Sequence, residues 1–192
     1  MTSDPAYLRA FKNFAKRPPT LEESEAMEKE FYGESDRACG VLHASWVEQV
    51  LETAIRRRLR PNLSNRMFDF EGPLGTFSAK IMMGYALGLF GSKTNHDLLL
   101  IRTIRNEFAH CQLPLRFDLP EVKAVCDQLI VPDTEAKIIP SYFYRSGAPS
   151  DFLYDHRHPK ARFVICCHSI IHRLFDEYKD LPAATFPETK LP

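Results

Sequence analysis

Three stretches of this chain space their apolar side chains for α-helices, and that spacing limits the fold more than any other feature. Val47, Val50, Leu51, Ala54, Ile55 and Leu59 make a stripe at i, i+3, i+4, i+7, i+8 and i+12 that stops before Pro61. Leu100, Ile101, Ile104 and Phe108 make a second stripe, in a helix over residues 96–110. Gly91–Thr94 reads as the turn before it and Asn95 as its N-cap. Phe163, Cys167, Ile170, Ile171, Leu174 and Tyr178 make the third, in a long helix Lys160–Tyr178. Three amphipathic helices with facing stripes are enough to close a core.

Weaker helical signals fill the rest. Tyr7, Leu8, Phe11 and Phe14 suggest a short helix over 5–16, stopped by Pro18-Pro19. Thr20 resembles an N-cap for the stretch Glu22–Asp36, whose seven acidic residues and one basic residue read as a solvated helix broken at Gly33. A helix starting at Gly72-Pro73 is expected to run through Phe77, Ile81, Tyr85 and Leu89. Gly84 and Gly88, one turn apart in it, point to close packing against a neighbouring helix. Another helix is expected at Glu121–Ile130. Residues 131–159 are rich in Pro, Ser and aromatics, too long a stretch for a structureless loop, and Lys137–Tyr144 suggests a short strand or hairpin. The expectation is an all-α single-domain bundle of five to seven helices with one irregular, hairpin-containing excursion. Residues 1–33 form a helical appendage, 34–180 the domain and 181–192 an extended tail.

Composition narrows the function classes. With 25 Lys plus Arg against 25 Asp plus Glu the net charge is zero, so a surface that grips nucleic acid along its whole length is disfavoured. No apolar run is long enough to span a bilayer, and residues 1–16 lack the pattern of a secretory signal. The five cysteines form no CxxC, which argues against a disulfide framework or a structural zinc site and for a reducing cytoplasm. Neither a metal nor any other cofactor is expected. No GxSxG, P-loop, GxGxxG or HExxH motif occurs, and no helix-turn-helix with a basic recognition helix, so direct sequence-specific DNA binding is disfavoured.

The densest chemical signal is Ile101-Arg-Thr-Ile-Arg-Asn-Glu-Phe-Ala-His110. At about 100° per residue, Arg102, Asn106 and His110 fall on one strip clear of the apolar stripe, with Arg105 about 60° to its side. His110 sits in the last turn, where the helix dipole favours an imidazolium, and such a group can transfer protons near neutral pH. Arg105 can hold a phosphate, and Asn106 can orient the ring or bind a ribose hydroxyl. Capping of helix ends and bonding to buried carbonyls are the structural alternative for the same residues. Arg57 and Arg60, beside Arg56 and Arg58, complement the end of their helix or, like Arg102, serve as phosphate- or partner-contacting groups. His168, His172 and Asp176 share what the spacing makes the face opposite the third stripe; a metal site there ranks below a solvated face or a dimer contact.

Two blocks together resemble the mannitol operon repressor (MltR-type) family. One is Gly72-Pro-Leu-Gly-Thr-Phe-Ser-Ala-Lys-Ile81 with Gly84-Tyr-Ala-Leu-Gly-Leu-Phe90; the other is Leu99-Leu-Ile-Arg-Thr-Ile-Arg-Asn-Glu-Phe-Ala-His110. The segment Arg37–Glu48 is similar too. The resemblance implies an all-helical cytoplasmic regulator, linked by the family's name to repression of a mannitol operon, that acts through a protein partner and as a homodimer. More distantly, Arg105-Asn106-x-x-x-His110 is similar to the Arg-polar-x-x-x-His signature of HEPN-type domains. That implies a metal-independent endoribonuclease or an RNA-binding module, with Arg105, Asn106 and His110 in the catalytic roles and RNA as the alternative partner. The regulator comes first and the ribonuclease second.

Overall fold

The computed structural model describes residues 35–60, 65–131 and 157–178, with Pro5, Ala6, Ala10, Phe11, Thr20 and Glu22 besides. Most of the expected helix over 5–16, nearly all of the acidic stretch, most of the excursion over 131–159 and the tail over 181–192 lie outside the described residues. Within them the protein is all-α: five helices and no strand. These are α1 (Asp36–Arg58), α2 (Phe77–Ala86), α3 (Ser92–His110), α4 (Pro120–Cys126) and α5 (Pro159–Tyr178). Helix α1 is central and touches α2, α3 and α5, while α4 packs on α3 and α5.

Helix α1 starts well before its stripe. Ser35 caps it, its hydroxyl accepting a hydrogen bond from the Ala38 N–H, so Asp36 belongs to the first turn of α1 rather than to the acidic stretch. All three stripes contribute to the interior. Val47, Leu51 and Ile55 meet Leu98, Ile101, Ile104 and Phe108 of α3 and Phe163, Ile170 and Leu174 of α5 in one core. Phe117, from the α3–α4 connection, extends it. Its ring stacks on Phe108 at 4.8 Å and lies 5.3 Å from Phe163, so three aromatic rings join α3 to α5.

The start of α2 differs from the expectation. Residues 69–75 are consecutive turns rather than helix, with Gly72 N–H bonded to Asp69 C=O, Leu74 N–H to Met67 C=O and Gly75 N–H to Gly72 C=O. A Cβ on Gly72 would run into the carbonyls of Arg66 and Met67, and one on Gly75 into those of Asp69 and Phe70. The helix begins at Phe77, where the Thr76 hydroxyl accepts from the Ala79 N–H. It also ends early. Leu89 N–H reaches Gly84 C=O and Gly88 N–H reaches Tyr85 C=O around Gly88 at φ 68°, a Schellman stop. Gly88 therefore ends the helix and a Cβ there would have open space, whereas Gly84 faces Leu51 and Phe90 closely, as the paired glycines suggested for both. Tyr85 lies on the exposed side of α2 rather than in its buried stripe.

Boundaries shift elsewhere as well. Helix α3 starts after Gly91, so Asn95 lies inside its first turn, and its N–H bonds back to Gly91 C=O. Helix α4 has seven residues and loosens into turns at Gln128 and Leu129.

The first turn of α1 also closes the far end of α3. Arg37 donates to the Phe108 carbonyl at 2.6 Å, in the last turn that lacks intrahelical donors, to that of the C-cap Cys111 at 2.9 Å and to that of Leu113 in the following loop at 2.7 Å. Asp36 accepts from the Phe117 N–H at 2.9 Å and pairs with Lys160 at 3.0 Å, tying the same loop to α5. An Arg37→Ala variant should lose about 2 kcal/mol of stability. Urea unfolding measures it, and an unchanged midpoint would contradict this role.

Candidate functional site

The α3 strip forms, and its members have unequal surroundings. Arg102 and Asn106 are half-buried and His110 is exposed on the last residue of the helix. Arg105 is half-buried and donates to the Asn106 side-chain oxygen at 3.1 Å. The Phe108 carbonyl near the end of α3 is taken by Arg37, so a fixed guanidinium answers the helix end close to His110. Arg57 lies in the last turn of α1, half-buried, and Arg60 beyond it, exposed; both interact with neighbouring groups.

Sequence reasoning missed what lies behind Arg105. Lys80 of α2 is 6 % exposed and reaches two carboxylates of α1, Glu48 at 2.8 Å and Glu52 at 2.9 Å. Glu52 is shared with Arg56 at 2.8 Å, and Arg56 also bonds Asn65 and lies 3.7 Å over the Phe68 ring. On the other side, the second oxygen of Glu48 lies 3.6 Å from Arg105. Burial pushes the Glu52 carboxyl up, but hydrogen bonds and charge from Lys80 and Arg56 outweigh it and hold the group below its ordinary value. The run Arg105–Glu48–Lys80–Glu52–Arg56 thus crosses three helices. Its signal was Glu48 and Glu52 at i, i+4 on α1, with Lys80 on the buried side of α2.

A second polar cluster lies deeper, between α1 and α5. His168 is 2 % exposed, against the expectation of a free face carrying His168, His172 and Asp176. The first turns of α5 are enclosed on nearly every side, so only its later part has an outer face, with His172 half-buried and Asp176 exposed 3.9 Å from it. Among the described residues no group of three or more His, Cys, Asp or Glu side chains is arranged to hold a metal.

The His168 ring lies 5.4 Å from His43 and 5.3 Å edge-on from Trp46. His43 Nδ1 is 3.0 Å from the Cys39 carbonyl, and since a carbonyl only accepts, that nitrogen carries the proton. Burial lowers the His43 pKa to about 4 and holds His168 well below its ordinary value. Burial also raises the Cys39 and Cys126 thiols to about 12 and holds the Cys167 thiol well above its ordinary value, so these cysteines are inert core groups.

An apolar groove of about 250 Å³ runs between α3 and α4, lined by Ile104, Glu107, Cys111, Val122 and Val125 among others. Glu107 therefore faces α4, away from the strip that carries Arg102 and Asn106. Among the described residues no helix is long and apolar enough to cross a membrane.

The buried histidines set a pH dependence. Their folded pKa values lie below the unfolded value near 6.5, so the unfolded chain takes up protons that the folded chain refuses. Stability should be flat above pH 7 and fall as the pH drops from 6.5 toward 4, with His43 alone contributing about 2 kcal/mol of the loss at pH 5 and His168 acting in the same direction. Urea midpoints against pH measure this, and His43→Phe should flatten the curve; equal slopes in both proteins would contradict it.

No protein-family model matches the chain, and no curated protein matches it by sequence. Among solved structures, it matches a chain of the X-ray structure of the MtlR–HPr complex from Escherichia coli. The TM-score is 0.55 and the identity 15 %, over 78 % of this chain and 97 % of that one. At that identity the likeness is one of fold: a distant MtlR-like helical architecture.

Proposed function

We propose that this protein is an MltR-like cytoplasmic regulator, a repressor that works as a homodimer and through a protein partner, without reading DNA itself. The observation that carries this reading is the shared fold with a chain from a structure of MtlR bound to HPr. HPr is accordingly the first partner to try, and a mannitol operon the first target. The missing DNA-reading motif and the zero net charge agree with action through a partner. The partner meets the α3 strip at Arg102, Asn106 and His110, with Arg57 and Arg60 as a secondary contact.

A HEPN-like ribonuclease is the second reading. It draws on the 3.1 Å bond between Arg105 and Asn106 on the helix that ends in exposed His110. In that chemistry an RNA 2′-hydroxyl attacks the adjacent phosphorus and the P–O5′ bond breaks, leaving a 2′,3′-cyclic phosphate; His110 assists transfer of the 2′-hydroxyl proton to the departing 5′-oxygen and Arg105 stabilises the added charge.

One pair of assays separates the two. Tagged full-length protein should retain a protein partner at fixed stoichiometry, and Arg102→Ala should release it. Tight sequence-specific DNA binding by the isolated chain, with no protein retained, would overturn the regulator. Metal-independent RNA cleavage with 2′,3′-cyclic phosphate ends, lost in a folded His110→Ala variant, would put the ribonuclease in its place.

A further inference from the structure

The five ionised groups that join α1, α2 and α3 do not balance. Among the described residues, the carboxylates that pair with Lys80, Arg56 and Arg105 are Glu48 and Glu52, which leaves one positive charge in excess. The distances show where it lies. Lys80 has both carboxylates within 2.9 Å, and Arg56 holds Glu52 through Nε at 2.9 Å and Nη2 at 2.8 Å. Arg105 stands 3.6 Å from Glu48, beyond hydrogen-bond range, and among the described residues its hydrogen-bond partner is the neutral Asn106 amide. Its side chain is 32 % exposed, against 7 % for Lys80. Arg102, three residues earlier on the same helix, adds a second half-buried cation.

We propose that Arg105, with Arg102 beside it, is a receptor for an acidic side chain of the protein partner. The proposal rests on the regulator reading and names the chemistry of its contact. A guanidinium fork takes a planar carboxylate in two parallel hydrogen bonds, and one carboxylate matches one surplus charge. Asn106 keeps an amide N–H₂ that can donate to the same group. Glu48 already covers the inner side of Arg105, so a guest approaches from outside, beside a resident carboxylate that repels the closely spaced charges of a nucleic acid backbone. The zero net charge of the whole chain disfavours a polyanion in the same way. The resident carboxylate also tunes the site. Removing its charge leaves Lys80 paired with Glu52 and gives Arg105 a stronger positive field.

The test is fluorescence anisotropy of the full-length protein with a fluorescein-labelled peptide of ten glutamates, against a ten-nucleotide RNA and inorganic phosphate as competitors. The peptide should bind and weaken with salt. Arg105→Gln should weaken it about tenfold, Glu48→Gln should tighten it several-fold, and Arg116→Gln, at an exposed arginine paired with Asp118, should leave it unchanged. An unchanged affinity in Arg105→Gln or Glu48→Gln, or an equal loss in Arg116→Gln, would overturn the site. An RNA that binds more tightly than the peptide would assign the edge to nucleic acid instead. Should Arg105→Gln not fold, Glu48→Gln decides alone, since the site requires a gain and damage gives a loss. A partner still captured by Arg105→Gln protein would sink this site and leave the regulator standing; absence of any partner would sink the regulator.

Discussion

Burying the ammonium of Lys80 is the constraint around which the upper half of the bundle is arranged. A cation that is 6 % exposed is tolerated only where carboxylates meet it at hydrogen-bond distance. Glu48 and Glu52 provide them from successive turns of α1, which fixes the rotation of α1 and the height at which α2 crosses it. Gly84, one turn further along α2, then lies against Leu51 and Phe90 with no room for a side chain. Ionic and steric fits at neighbouring turns thus lock the same helix pair. Because Lys80 and Arg56 meet the two carboxylates so fully, Arg105 is left with a loose counter-charge, and a structural requirement in the interior produces a chemical property at the edge.

The other end of α1 repeats the pattern with different groups. Asp36 and Arg37, adjacent in sequence, bond a backbone N–H and three backbone carbonyls of residues 108–117. The loop after α3 is held so that Phe117 enters the core between Phe108 and Phe163. His110 lies inside this clamped region, so its place at the end of α3 is fixed by contacts it does not make itself.

Much of this fold was legible in the sequence, for identifiable reasons. The stripes of α1, α3 and α5 could be found because burial on one face leaves a 3.6-residue period. The period failed where burial was not one-sided. Helix α5 is enclosed over its first turns, so the polar residue His168 lies in the core among His43 and Trp46, and a pattern argument put it outside. The two glycines of α2 looked alike in sequence and differ because one sits inside the helix and the other at φ 68° beyond its end. Gly72-Pro73 suggested a helix start, yet the turns there are set by close approach of residues 66–70, a contact no local rule contains. Of the candidate site, the α3 strip could be read from helix geometry alone. Glu48 and Lys80 could not, since their distance from Arg105 depends on how three helices pack.

The central claim is that Glu48 belongs energetically to Lys80 and only marginally to Arg105. Two double-mutant cycles in urea unfolding test it, one combining Glu48→Gln with Lys80→Met and the other Glu48→Gln with Arg105→Gln. The account predicts a coupling of about 1–3 kcal/mol in the first and below about 0.5 kcal/mol in the second. Equal couplings, or the larger one on Arg105, would contradict it.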